Sequence, residues 1–399
     1  MKLKPADLPE PSADARAASE ALTRIIAAEI AARGGWISFA RYMELALYAP
    51  GLGYYSGGSR KFGVAGDFLT APELTPLYGR ALARQVAQVL AASSPLVMEI
   101  GAGSGRLAAD LLPALDALGC APERYRILEL SGELRARQEA MLTEHAPRFA
   151  DRVEWLEELP ERFCGCLVGN EVLDAMPTHA VHWDPGDGVM ERGVGLAEGR
   201  LVVAERPAAG ALLAAAGALP VVAPYRSEIS LAVRSWVAEL ARRVDRGALL
   251  LIDYGLARHE LYHTQRDGGT LRCHYRHRVH EAPFWFPGLS DITSHVDFTA
   301  VAEAGFDAGL DVLGYATQAN FLINCGIAEL LLEERGQRDG LPAAGAGATA
   351  ATDNLLARGA VNVLISPNEM GELFKVMALG RGMPGPLLGF SRGDRVHAL

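Results

Sequence analysis

Through the middle of the chain, short apolar runs alternate with longer stretches whose apolar residues recur every three or four positions. The short runs, near 96–100, 125–130, 152–156, 164–169 and 248–253, predict buried strands. Helical patterns lie between most of them. That alternation predicts a parallel sheet with helices on both faces, an α/β fold. A helix near 296–304, a strand near 310–315, a helix near 317–334 and a strand near 372–379 complete the pattern. Upstream, Leu22, Ile25, Ile26 and Ile30 mark a helix over 18–32 that stops at Gly34-Gly35. Ser38 caps a second helix over 39–47, and a third runs to Ala92. Two stretches break the alternation. Turns at Trp183–Gly188 and Ala197–Arg200 predict hairpins in 178–225, and 256–294 reads as loop. Gly340–Thr352, rich in alanine and glycine, reads as a mobile loop. The implied organisation is a flexible arm over 1–17, an N-terminal helical segment over 18–95, and an α/β domain over 96–399. The insertions at about 178–225 and 256–294 are candidate substrate elements, because loops beyond strand ends carry specificity.

The first strand of the sheet carries the sharpest chemical signal. Leu96–Ile100 runs into Gly101-Ala102-Gly103-Ser104-Gly105-Arg106 and then a helical pattern. A strand that turns into a helix over glycines is the nucleotide-side binding device of Rossmann-like sheets. Dinucleotide enzymes need Gly-x-Gly-x-x-Gly, and Arg106 stands where the pattern fails. The spacing Gly101, Gly103, Gly105, with Glu99 two residues ahead, resembles the S-adenosylmethionine (SAM) loop of class I methyltransferases. Glycine removes the Cβ that would block close approach of backbone to the ligand. One strand later, Arg126–Ser131 ends in Glu129, with Ser131 two residues on, where an acidic residue reaches a ribose diol in such sheets. Cofactor binding is therefore expected at Glu99, Gly101, Gly103, Gly105, Glu129 and Ser131, with the segment over 18–95 covering the site.

Composition narrows the partners. The 399 residues carry 38 basic and 48 acidic side chains, a net charge of −10, which argues against a DNA-binding face. Five scattered cysteines indicate a reducing compartment. The first residues lack a basic start with an apolar run, and the longest apolar stretch, Ala211–Pro224, is too short and too broken to span a bilayer. A cytoplasmic protein is expected, and its alanine- and arginine-rich composition suggests a bacterial source. The run Cys273–His280 matches no zinc spacing and is interleaved with arginines, so no metal is expected.

Several further segments carry a resemblance. They include Tyr42-Met43, Gly53-Tyr54-Tyr55, Gly66-Asp67-Phe68 with Thr70, Asn170–Pro177, Ile252–Gly255, Gly269-Thr270-Leu271, His295–Phe298, Thr317-Gln318 and Phe374-Lys375. Together with the glycine loop, they identify the chain as similar to the MidA-like SAM-dependent methyltransferases over roughly residues 18–380. The mitochondrial members dimethylate an arginine on a respiratory complex I subunit during assembly. The resemblance implies a class I methyltransferase fold, SAM as cofactor and a protein substrate. Ala319-Asn320 departs from the Gly-Asp expected after Thr-Gln.

Methyl transfer from a sulfonium is an in-line displacement, so the nucleophile must be held about 3 Å from the methyl carbon. An arginine nucleophile is protonated at physiological pH, and carboxylates hold its planar fork. Asn170-Glu171-Val172-Leu173-Asp174 supplies two carboxylates directly after the fourth strand; on a helical turn Glu171 and Asp174 would share a face. Their alternative role is as acids favoured at a helix start. Asn170, Glu171, Asp174 and His295 are the candidate catalytic residues; Ser294–Asp297 also reads as a helix start. Asp253 either meets substrate or caps a turn. Val172 and Leu173 replace the proline and aromatic of base-methylating enzymes. Methylation of a small molecule or RNA, or SAM binding by an assembly factor without catalysis, are the competing readings.

Overall fold

A computed structural model describes residues 7–57, 70–339 and 347–399. Two compact units form. One combines the N-terminal residues with Leu173–Val237 and Leu256–Val301; the other combines Leu69–Val172, Ala238–Gly255 and Ala302–Leu399.

The second unit holds the expected sheet. Its strands are β1 (Leu96–Ile100), β2 (Arg124–Leu128), β3 (Val153–Leu156), β4 (Phe163–Asn170), β5 (Val244–Leu256), β6 (Asp311–Thr317) and β7 (Phe374–Arg381). Their spatial order is β6-β7-β5-β4-β1-β2-β3. The pairs β5·β4, β4·β1, β1·β2 and β2·β3 are parallel. The strand β7 runs antiparallel to both β5 and β6. The chain order reverses between β1 and β4, so a crevice opens at their carboxyl ends, where open α/β sheets bind ligands. Helices α1 (Pro76–Ala92), α2 (Arg106–Ala117) and α3 (Gly132–His145) position the site. Leu82, Val86 and Val89 of α1 pack with Leu107, Leu111 and Val168 in one apolar core, which makes the sheet a rigid support.

The first unit is mostly antiparallel. Trp36–Ser38, His179–Asp184, Gly188–Ala197, Arg200–Pro207 and Tyr225–Ile229 form one sheet. The turn read at 183–188 is present: Asp184 Oδ1 accepts from the N–H groups of Gly186 and Asp187 at 2.8 and 2.9 Å. The hairpins expected over 178–225 are thus observed. Several boundaries and types differ from the sequence reading. The first helix starts at Ala13, capped by Ser12, so part of the segment read as a flexible arm is helical. Arg272–Tyr275, Arg278–His280 and Asp291–Thr293 form a three-stranded antiparallel sheet inside the stretch read as loop; its arginines and histidines had hidden the strand pattern.

In the second unit, the helix read at 317–334 is two helices, Gln318–Asn324 and Ile327–Asp339, broken where Gly326 adopts φ +78°. Gly347–Ile365 is helical, so alanine's helix propensity prevails over the loop-like composition there. The rest of the expected loop, 340–346, and the Gly66-Asp67-Phe68 motif lie outside the described residues.

Candidate functional site

The glycine loop begins where β1 ends. Gly101, Gly103 and Gly105 have φ values of +70°, +54° and +85°, in the left-handed region that side chains with a Cβ disfavour. Gly101 also has a packing reason: a Cβ there would collide with Val172 Cγ1. At Gly105 a Cβ would lie 3.0 Å from the Cα of Gln138 on α3. The loop is therefore clamped between the turn after β4 on one side and α3 on the other. Its Ser104 hydroxyl donates to Glu73, a residue for which sequence reasoning had assigned no role.

Glu129 stands just past β2, half-buried. Its Oε1 accepts the Ser131 N–H at 2.8 Å and its Oε2 accepts Gln138 Nε2 at 3.0 Å. Gln138 is fully buried; the same Nε2 reaches Gly103 O at 3.1 Å, and Trp155 Nε1 donates to Gln138 Oε1 at 2.8 Å. One glutamine thus ties the glycine loop to the acidic residue. Burial raises the Glu129 pKa above its ordinary value, and the hydrogen bonds from Ser131 and Gln138 oppose that shift. A carboxylate has roughly four acceptor sites. Ser131 and Gln138 take one on each oxygen, which leaves acceptor capacity for hydroxyl donors such as a ribose diol. The Ser131 hydroxyl is the N-cap of α3, accepting from Leu134 N at 3.3 Å.

Glu99 is only 2% exposed, and its Oε2 accepts the Tyr125 hydroxyl at 2.6 Å. Burial pushes its pKa up to about 7, against the pull of that hydrogen bond.

Asn170 is the last residue of β4, and Glu171 the first beyond it. Glu171 has φ +55°, a left-handed backbone for a residue with a Cβ. Such a conformation costs on the order of 1–2 kcal/mol and persists only where the surroundings over-determine it. Here the Glu171 N–H donates to Ile252 O on β5 at 2.8 Å. Its Oε1 accepts from Asn170 Nδ2 at 3.2 Å and from the Ala71 N–H at 3.4 Å. Tyr78 of α1, buried, donates to Asn170 Oδ1 at 2.6 Å. Asp253 on β5 is fully buried and accepts the Tyr254 N–H at 2.8 Å; its register partner across β7 is the buried Lys375.

The left-handed Glu171 also means that residues 171–177 form turns rather than a helix. The helical spacing expected to put Glu171 and Asp174 on one face does not apply. Asp174 belongs to the other unit, where its carbonyl accepts the Ser294 N–H at 3.0 Å. Tyr48 and Tyr55 of that unit have raised pKa values, first from burial and then from Asp291, with Asp174 a smaller cause. His295 lies in the same unit, with its N–H donating to Thr270 Oγ1 at 3.0 Å. The helix read as starting at Ser294–Asp297 begins at Phe298, and Asp297 Oδ1 accepts from Ala300 N at 3.0 Å, leaving His295 ahead of the helix. Among the described residues, no group of three or more His, Cys, Asp or Glu could hold a metal ion, and no helix is long and apolar enough to cross a membrane.

The glycine loop and Glu129 fit SAM. Three left-handed residues without side chains border the crevice, and a half-buried carboxylate with acceptor capacity stands one strand away.

Comparison with known proteins agrees. The model of an S-adenosyl-L-methionine-dependent methyltransferase family matches residues 81–316. The chain is 52% identical to a Burkholderia thailandensis protein whose crystal structure holds S-adenosyl-homocysteine; the match covers 98% of this chain and 100% of that one, with a TM-score of 0.92. The zebrafish (Danio rerio) mitochondrial protein arginine methyltransferase NDUFAF7 is 28% identical over 396 residues, covering 90% of this chain and 87% of the relative. The Caenorhabditis elegans homologue is 29% identical over 329 residues, covering 74% of each.

Proposed function

The chain belongs to the MidA-like family of SAM-dependent methyltransferases, and we propose that it methylates an arginine of a partner protein, with Glu171 holding the guanidinium. SAM, when bound, supplies an electrophilic methyl group on a sulfonium. One observation carries the assignment of Glu171. Val172, the next residue, packs directly on Gly101 of the cofactor loop, so the carboxylate-bearing turn and the loop are built against each other within one unit.

An arginine side chain arrives protonated, and a carboxylate is the group that pairs with its planar fork. Pairing at one edge orients the guanidinium and localises its charge, which leaves a nitrogen at the opposite edge to act as nucleophile; as its bond to the methyl carbon replaces the sulfur–methyl bond, that nitrogen gives up one proton to water. The Asn170 amide and the Ala71 N–H fix the Glu171 carboxylate in advance, so little reorganisation is needed when the cation binds. The Glu129 carboxylate serves the cofactor's ribose, whereas Glu99 is buried two residues ahead of the loop and bonded to Tyr125. Asp174 and His295 belong to the other unit, and this reaction rests on Asn170 and Glu171. The names of the curated relatives support arginine as the substrate residue. Five unpaired cysteines support a reducing compartment such as the cytoplasm.

Glu171→Gln tests the reading. The change is nearly isosteric, so SAM affinity by calorimetry stays within about twofold. Transfer of tritiated methyl from SAM into proteins of a lysate lacking this chain falls at least about tenfold, the loss expected from one transition-state contact of ~1.4 kcal/mol. Mass spectrometry of the labelled band identifies the residue. Label on a small molecule or RNA, or on a residue other than arginine, overturns the substrate assignment. Full transfer by the variant overturns the role of Glu171.

A further inference from the structure

Glu171 is the first residue of a short chain of hydrogen bonds that ends on a helix nearly a hundred positions away in sequence. Its Oε1 meets Asn170 Nδ2 at 3.2 Å, and Asn170 Oδ1 meets the Tyr78 hydroxyl at 2.6 Å. All three residues lie in one unit, and Tyr78 is 1% exposed. The chemistry of an asparagine amide makes this arrangement directional. One end of the amide only donates and the other only accepts. A carboxylate is satisfied by the donating end alone. If the amide turned over, Oδ1 would face Glu171 Oε1 with no proton between them, and two acceptors would repel in a partly desolvated setting.

The carboxylate selects the orientation, and the Tyr78 hydroxyl, donating to Oδ1, anchors the far end of the amide so oriented. We propose that Tyr78 is a positioning residue for methyl transfer: its hydroxyl locks the Asn170 amide, and the locked amide holds the Glu171 carboxylate where the cationic substrate side chain meets it. This rests on the role given to Glu171 above.

Two features fit the assignment. The hydroxyl stays protonated, because burial, and then the charges of Glu171, Glu99 and Asp253, hold its pKa well above the ordinary 10. It is therefore a donor throughout the physiological range. In addition, the Glu171 backbone is left-handed at φ +55°, so its side-chain position is not the default one for a residue leaving a strand. The Ala71 N–H, at 3.4 Å from the same oxygen, is a longer contact than the amide's. Of these two contacts to Oε1, the Asn170 link is the closer, and Tyr78 anchors the far end of that link.

Tyr78→Phe removes one oxygen and keeps the ring in the core. Three measurements test the proposal. Calorimetry gives SAM affinity within about twofold of the parent. The initial rate of tritium transfer into lysate proteins at saturating SAM falls about tenfold, with the half-saturating SAM concentration unchanged. A crystal structure of the free variant shows the Asn170 amide, or the Glu171 carboxylate, displaced from its parental position. In the Glu171→Gln background, Tyr78→Phe causes no further loss of rate, because both changes act on one link.

The outcomes separate the two claims. Full transfer by Glu171→Gln removes the catalytic reading, and this proposal with it. A tenfold loss in Glu171→Gln beside an unchanged rate in Tyr78→Phe overturns the positioning role alone. So do losses that multiply in the double variant, or an unchanged amide and carboxylate in the crystal. Where Tyr78→Phe does not fold, Asn170→Ala breaks the same link. It must reproduce both the loss and the non-additivity with Glu171→Gln, and a parental rate in that variant overturns the proposal.

Discussion

The crevice of the sheet is bordered by carboxylates at two strand ends, and they are held in different ways. Past β2, Glu129 is anchored by its own neighbourhood: an N–H two residues on and a glutamine nine residues on. Past β4, Glu171 has a left-handed backbone, and the groups that fix it include ones from β5, from the start of the short helix Ala71–Leu74 and, through Asn170, from α1. The first arrangement needs only a strand, a turn and a helix in succession. The second exists only once the whole unit has folded. A binding group for a hydroxyl pair tolerates small displacements. A group that must hold a cation in line with a transferred methyl does not, and a 1 Å misplacement can cost about a hundredfold. The strained, over-determined position is the one assigned to the reaction.

The contrast explains what could be read from the chain. The left-handed glycine loop after β1 and the carboxylate past β2 were legible as features because local succession builds them, and local succession is what sequence records. Tyr78 was not. It sits among Leu77, Ala81 and Leu82, where a tyrosine reads as core. Gln138 was hidden for the opposite reason: its helix is rich in Glu and Arg, so a glutamine there reads as surface, yet it is fully buried. The parallel strands were legible from their apolar runs, whereas Arg272–Tyr275 and Arg278–His280 were masked by charge. Glu171 and Asp174 were placed on one helical face by spacing alone. Nothing in the sequence announces a left-handed glutamate.

The largest effect expected at the relaxed end concerns Glu99. Its pKa in the folded protein is about 7, against an ordinary 4.5. A raised folded pKa means that the proton favours the folded state. The stability contributed is complete below pH 4.5 and is lost as the pH rises through 7. The difference of about 2.5 units corresponds to roughly 3 kcal/mol. Glu99→Gln keeps an acceptor for the Tyr125 hydroxyl and removes the titration. Without SAM, the variant gains about 3 kcal/mol over the parent in urea unfolding at pH 8 and nothing at pH 4.5. Equal curves at both pH values would show that Glu99 ionises freely despite its burial.

Glu129→Ala comes next. It deletes a charged acceptor that the local hydrogen bonds hold in place, and the loss expected for such a bond is about 1.5–3 kcal/mol. SAM binding by calorimetry weakens accordingly, roughly ten- to a hundredfold. Transfer at saturating SAM stays near the parental rate, in contrast to Glu171→Gln. If Glu129→Ala lowers the saturated rate instead, the division between a binding end and a reacting end is wrong.

The smallest effect belongs to Ser131, and it separates its two polar groups. The N–H donates to Glu129, and the hydroxyl caps α3 by accepting from Leu134 N. Ser131→Ala keeps the first and removes the second. Loss of an N-cap hydroxyl costs about 1 kcal/mol of stability. SAM affinity changes less than about twofold, because the backbone donor that holds Glu129 is untouched and Gln138, further along α3, still anchors it. The sequence reading placed Ser131 itself among the cofactor contacts. A loss of SAM affinity as large as that of Glu129→Ala, with stability unchanged, would restore that role and make the hydroxyl a ligand rather than a cap. The capping geometry favours the other result. With Leu134 N as its donor, the hydroxyl sets where α3 begins, and through α3 it sets where Gln138 meets both Gly103 and Glu129. Its effect on the cofactor is then indirect and small, as expected for an end of the site that local structure builds with several redundant contacts.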